Sequence, residues 1–225
     1  MKPILFNEEM VKAILEGRKI VTRRLVKPRY LEGEAGFFVV TDKYTSDFRY
    51  IETYDEDERG TDRRINPPYR PGDVLYVRET WSTKLSNECY GQPCRGGVCP
   101  HESCESATGS CFPEEYIYKA SDSLPNYGGK WHPSIHMPKE AARLFLLVTD
   151  VRAEQLQQIT EIGARNEGAD SIQIAREIWS YRKGFERIWD STINPVDLSH
   201  YGWAANPWVW VIEFERCENP DERSL

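Results

Sequence analysis

"NPWVWVIEFER", Asn206 to Arg216, alternates large apolar residues with a period of two. Trp208, Trp210, Ile212 and Phe214 fall on one face of an extended segment, which is the signature of a strand with one buried side. Such a strand needs neighbours, and the chain supplies them. "GFFVVTD" from Gly36, "RYIETY" from Arg49, Val74–Val77 after the Pro71-Gly72-Asp73 turn, "EYIYKAS" from Glu115, and Leu144–Val151 all carry β-branched and aromatic residues bounded by turn formers. Tyr54–Asp62, "YDEDERGTD", reads as a solvated loop.

Helices are fewer. In "NEEMVKAILEG", Asn7 is placed to cap, Glu8 and Glu9 suit the N-terminal dipole, Met10, Val11, Ile14 and Leu15 share a face, and Gly17 suits a left-handed C-cap. "ITEIGARNEG" predicts a short helix capped by Thr160, and Ser171–Asp190 predicts a longer amphipathic helix burying Ile172, Ala175, Ile178, Trp179, Phe185, Ile188 and Trp189. There is no regular βαβ alternation and no internal repeat. The expected class is therefore α+β, a mainly antiparallel small barrel with helices packed at its ends.

The 225 residues suffice for a large core, and 12% aromatic content argues against disorder. No run of about 18 apolar residues occurs, and "MKPILFNEE" lacks the apolar stretch of a secretory signal, so a cytoplasmic protein without membrane association is expected. The formal net charge of −7 disfavours nonspecific coating of nucleic acid. Residues 12–29 run against that trend: seven cations face only Glu16, a local balance of +6. A focused basic patch on an acidic body suits a small nucleotide or a short single-stranded segment. A basic strand edge that resists aggregation is the competing reading.

At the centre of the patch is "GRKIVTRR", Gly17–Arg24. A lysine flanked by Arg18, Arg23 and Arg24 can act as a base near neutrality if burial and cationic neighbours lower its pKa from about 10.4. Lys19 and Thr22 are three residues apart, so a regular strand would put them on opposite faces. A Lys–Thr catalytic pair requires the chain to bend there, or Lys19 to sit in the turn after Gly17.

"ILEGRKIVTRR", "RPGDVLYVRETW", "WHPSIHMPKEAARLFLLVTDVRAEQLQQITEIGARNEG" and "NPWVWVIEFER" together resemble the ASCH (activating signal cointegrator homology) family, most closely its longer bacterial and phage-associated branch. The resemblance covers residues 2–81 and 115–215. It implies a PUA-like β-pseudobarrel with flanking helices, forming one domain over 1–217 with a Cys-rich insertion at about 82–114 and a polar tail at 218–225. It also implies RNA-associated binding or, as in a compact bacterial branch, amidohydrolysis of N4-acetylcytidine to cytidine and acetate. The matching catalytic positions are Lys19 and Thr22, with Glu167 set by the "ITEIGARNEG" match. Three functions follow: an N4-acylcytosine amidohydrolase, an RNA-binding module reading a modified base, and a ribonuclease in which the cations stabilise a phosphorane.

Other residues are expected to line the ligand site. Arg18, Arg23 and Arg24 attract anions, Glu79 and Trp81 end the "YVRETW" strand, and Trp81 is suited to stack on a base. Ser134 and His136 lie in the proline-bounded "WHPSIHMPKEAAR", which lacks a Gly-x-Ser-x-Gly elbow and so suits pocket lining better than nucleophilic chemistry. Cys89, Cys94, Cys99, Cys104 and Cys111 with His101 suggest a structural zinc held by four of them at most, with disulfides and free or redox-sensitive thiols as the competing readings. The proposed acyl chemistry itself needs no cofactor.

Overall fold

A computed structural model describes residues 1–26, 36–41, 48–84, 115–121 and 130–221. In chain order, β1 (Lys2–Leu5), α1 (Glu8–Leu15) and β2 (Val21–Leu25) are followed by β3 (Gly36–Thr41), β4 (Phe48–Tyr54) and β5 (Gly60–Ile65). Next come β6 (Val74–Arg78), β7 (Trp81–Lys84), β8 (Glu115–Tyr118) and the long β9 (Phe145–Gln155). The C-terminal third holds α2 (Glu161–Asn166), β10 (Ile172–Ala175), β11 (Ile178–Ser180), α3 (Tyr181–Thr192), α4 (Leu198–Tyr201) and β12 (Trp208–Cys217). The class is α+β, and no sheet among the described residues closes into a barrel.

The chain divides into two compact units, the first comprising residues 1–2, 13–75 and 145–225, and the second residues 3–12 and 76–144. In the first unit β12 lies antiparallel between β9 and β2. Opposite residues on paired strands share a face. One face therefore carries the rows Leu25–Val209–Glu154, Arg23–Val211–Arg152 and Val21–Glu213–Asp150. The other carries Arg24–Trp210–Ala153 and Thr22–Ile212–Val151. Val21, Val209 and Val211 of the first face bury against Leu156, Ile159, Ala164, Ala169, Phe185 and Trp189. Each fully buried large side chain there contributes about 1.5–3 kcal/mol relative to exposure. Glu161 joins the two helices, its carboxylate accepting hydrogen bonds from the Ser180 hydroxyl and the Tyr181 amide at the start of α3. A separate antiparallel sheet, β3-β4-β5, completes this unit with the β10–β11 hairpin.

In the second unit β7 pairs with β8, and Trp81 bridges to His132. The Phe6 amide donates to Arg78 O, and the Val77 amide to Leu144 O. Two 3-10 turns, Ser134–His136 and Lys139–Ala141, follow Pro133 and Pro138.

Besides the small barrel, which no sheet among the described residues closes to form, three sequence expectations change. Residues 171–190 do not form one helix. Ile172 and Ile178 are β-branched and pair within a hairpin that bulges at β-branched Ile174, Glu177 turns with φ 61°, and Ser180 starts α3 by accepting from the Lys183 amide. Ile178 and Trp179, expected to be buried, are 53% and 60% exposed. The solvated loop at 54–62 is shorter, because β4 runs to Tyr54 and β5 starts at Gly60. The strand expected over 144–151 continues to Gln155 because β12 pairs along its full length. The expectations for α1 hold: Asn7 accepts from the Met10 amide, and Gly17 takes φ 72°.

Candidate functional site

Two backbone devices deliver the lysine and the glutamate to one place. After α1, Gly17 turns the chain in the left-handed region, and the amides of Arg18 and Lys19 both donate to Ala13 O. Lys19 then forms a single bridge with Glu167, and the Ile20 amide donates to Asn166 O before β2 begins at Val21. The chain thus departs from regular strand between Lys19 and Val21, as the Lys–Thr reading requires.

On the other side, α2 starts at Thr160, whose hydroxyl accepts from the Gly163 amide. It ends with Glu167 as C-cap and Gly168 at φ 82°, the Gly168 and Ala169 amides donating back to Arg165 O and Ala164 O. This is a Schellman termination. A Cβ on Gly168 would come within 2.8 Å of Ala13 Cβ and 3.2 Å of Lys19 Cβ. Gly168→Ala is therefore expected to cost about 2–4 kcal/mol, combining left-handed strain with crowding, read as a lowered urea midpoint. No loss of stability would show that neither constraint operates.

The Lys19 ammonium is fully buried and donates to Glu167 Oε2 at 2.6 Å, Val21 O at 2.8 Å and Glu167 O at 2.9 Å. Its three protons thus have three acceptors. Glu167 Oε1 accepts from Arg23 at 3.2 Å, and the same guanidinium reaches Glu154 at 3.3 Å. Arg152 donates to Glu154 at 2.6 Å, Asp150 at 2.7 Å and Glu213 at 2.6 Å. A continuous charge network therefore runs from the buried lysine to the half-exposed Arg152.

Thr22 lies on the opposite face of β2 from Arg23, in the row with Ile212. It is 3% exposed, and its hydroxyl forms no hydrogen bond with Lys19 or Glu167 among the described residues. The Lys19 ammonium belongs to neither face. Ile20 O accepts from Phe214 N of β12, so Val21 O, one residue on, points away from β12 to the outer edge of β2. The ammonium bonded to Val21 O lies at that edge, between the face of Arg23 and the face of Thr22 and Arg24.

Burial lowers the Lys19 pKa below the ordinary lysine value. The Glu167 charge and hydrogen bond oppose this, while Arg24 and Arg23 reinforce it. Burial likewise lowers Arg24, which stays cationic, and raises the nearby Tyr69 phenol, which stays neutral. Comparison with family models, curated proteins and solved structures returns no match. What this site can do rests on its geometry and on the sequence resemblance.

Arg18 stays at the surface, paired with Glu16 at 2.6 Å and donating to Gly168 O at 3.2 Å. In the second unit, Glu79 is buried and takes Arg143 at 2.9 and 3.0 Å, and that guanidinium also lies 4.0 Å over the Tyr118 ring. Trp81 is half-buried and stacks on His132 at 4.9 Å, its indole N–H buried without a partner among the described residues. Ser134 is half-buried and His136 exposed. Cys89, Cys94, Cys99, His101, Cys104 and Cys111 lie outside the described residues. A cleft of about 840 Å³ lined by Val74, Leu147, Glu215, Arg216 and Cys217 contains none of the expected site residues. Among the described residues, no helix is long and apolar enough to cross a membrane.

The sequence reading missed Glu154 and Tyr69. The alternation Asp150-Arg152-Glu154 was a usable signal, since it puts all three on one strand face. Nothing local marks Tyr69.

Proposed function

We propose that this chain is an amidohydrolase of PUA-like, ASCH-related fold that removes the acyl group from an N4-acylated cytosine nucleoside or nucleotide. Support comes first from one observation: a fully enclosed Lys19, its pKa lowered, meets Glu167 at 2.6 Å across 148 residues of sequence. These are two of the three positions to which the resemblance carries the catalytic roles.

In this reading Lys19, once it has lost a proton, must turn from one of its present acceptors to the Thr22 hydroxyl; Thr22 Oγ then attacks the acyl carbonyl carbon as its proton passes to neutral Lys19. The C–N4 bond then breaks, the leaving amine takes the proton from Lys19, and water hydrolyses the acyl-threonine. Glu167 orients the lysine throughout. Arg24, on the face of Thr22, is suited to stabilise the oxyanion. The Lys19 base arises when the ammonium loses a proton, a change favoured by burial and by the two guanidiniums.

Purified protein is expected to release acetate from N4-acetylcytidine. Thr22→Val, which removes the hydroxyl while keeping the side-chain shape, is expected to lower turnover at least about 10³-fold. One observation favours a second reading, an RNA-binding module: all three Lys19 protons are satisfied, as in a structural ion pair. No turnover of several N4-acylcytosines by the folded wild type, together with measurable affinity for single-stranded RNA, would select that reading.

A further inference from the structure

We infer that Arg23 and Glu154 are positioning residues of the Lys19–Glu167 site, Glu154 holding Arg23 so that Glu167 is aimed at Lys19 and the charge around the pair is balanced. Their consequence for turnover rests on the amidohydrolase reading; their effect on Lys19 itself does not.

Glu167 divides its carboxylate, one oxygen to Lys19 at 2.6 Å and the other to Arg23 at 3.2 Å. Arg23 in turn divides its guanidinium between Glu167 and Glu154 and leaves its buried Nε–H without a partner among the described residues. A guanidinium free to choose would fork two N–H groups onto one carboxylate. An unmade buried hydrogen bond is costly, so Arg23 is held where it is by two anions on different elements, Glu167 at the end of α2 and Glu154 on β9. Glu154 is anchored by Arg152, two residues back on the same face of β9, and Arg23 and Arg152 flank Val211 of β12 in one row. The sheet thereby fixes the distance between Arg23 and Glu154.

Among the described residues, the charged groups that act on Lys19 include Glu167 at the end of α2 and Arg23 and Arg24 from β2. Glu154, Arg152 and Asp150 of β9 and Glu213 of β12 act on it through Arg23, and Tyr69 flanks Arg24. Removing the Glu154 charge leaves Arg23 uncompensated, which draws Glu167 from Lys19 and favours neutral lysine. Removing the Arg23 charge leaves Glu167 wholly to Lys19 and favours the ammonium.

The test is the titration of Lys19 followed by the ¹³Cε shift of ¹³C-lysine-labelled protein, with assignment by Lys19→Arg. Against wild type, Glu154→Gln is expected to lower the midpoint by roughly one pH unit and Arg23→Gln to raise it by a similar amount. Glu154 is partly exposed, so Glu154→Gln retains the fold even if Arg23→Gln does not. An unchanged midpoint in folded Glu154→Gln would overturn the inference. The second readout is kinetic: Arg23→Lys keeps the charge but cannot span two carboxylates, so the midpoint stays near wild type while kcat on N4-acetylcytidine falls about tenfold at unchanged KM. Wild-type kcat in Arg23→Lys would remove the positioning role. A wild type that turns over no acylcytosine refutes the amidohydrolase reading, and the titration alone then decides the inference.

Discussion

Lys19→Met destabilises the protein by about 3–5 kcal/mol, the range for removing one partner of a buried ion pair. The side chain is fully buried, and its loss strips three hydrogen bonds at once. Val21 O and Glu167 O lose their donor, and the Glu167 carboxylate is left with Arg23 at 3.2 Å. Methionine fills much of the same volume, so the loss measures the missing charge and hydrogen bonds more than a cavity. The double variant Lys19→Met/Glu167→Gln is expected to recover a substantial part of the loss, because no buried carboxylate then remains without its ammonium partner. Urea unfolding of the wild type, the single variant and the double variant checks this. A single variant as stable as wild type would mean that the pair contributes nothing net. The pH dependence carries a defined sign. Burial, reinforced by Arg24 and Arg23 and opposed by Glu167, lowers the Lys19 pKa in the folded protein. Between that lowered value and about 10.4 in the unfolded chain, the unfolded state binds more protons, so stability rises with pH across the window. The wild-type advantage over Lys19→Met should therefore grow as pH rises towards 10. An advantage that shrinks over that range would contradict the lowered pKa.

Gly184→Ala is expected to cost about 3 kcal/mol, at the upper end of ordinary overpacking. Gly184 is buried in α3, and a Cβ there would overlap the carbonyl oxygen of Asp170, a backbone atom that no rotamer change can move aside. Relief requires α3 or the segment after α2 to shift. Asp170 is three residues beyond Glu167, so the shift reaches the carboxylate that meets Lys19. The melting temperature should fall and, with the amidohydrolase reading, kcat should fall with it. Gly17→Ala is the control: it carries the φ 72° strain with open space around the new methyl and is expected to cost about 1–2 kcal/mol. Equal losses at the two positions would show that crowding at Asp170 is relieved without strain.

How far the site was legible depends on the range of each interaction. The Gly17 turn and the Thr160 cap were readable because each is decided by neighbours a few residues away. The hairpin at Ile172–Ser180 was misread because Ile172, Ala175, Ile178 and Trp179 satisfy a helical spacing while the β-branched isoleucines also satisfy a strand. The Glu161 carboxylate, which accepts from Ser180 and Tyr181, marks where the helix begins, and it lies about twenty residues away. Lys19 was expected to sit in the turn after Gly17, outside regular strand, and it does, but its ammonium bonds Glu167 and Val21 O and not the Thr22 hydroxyl. What no spacing could show is that Lys19 escapes the alternation by bonding to Val21 O at the strand edge.

By itself, the sequence determined the strand-rich α+β class, the capped ends of α1, the Thr160 cap of α2, and the crowding of cations in Gly17–Arg24. Each follows from local periodicity, capping chemistry or composition. Only the tertiary structure decided that Lys19 is enclosed rather than solvated, that Glu167 is its partner across 148 residues, and that Arg23 is shared with Glu154. The physical reason is that a lysine's charge state and reach depend on what displaces its water. Here the groups against Lys19 come from β2 and from Glu167 and Gly168 at the end of α2, which the chain brings together only on folding.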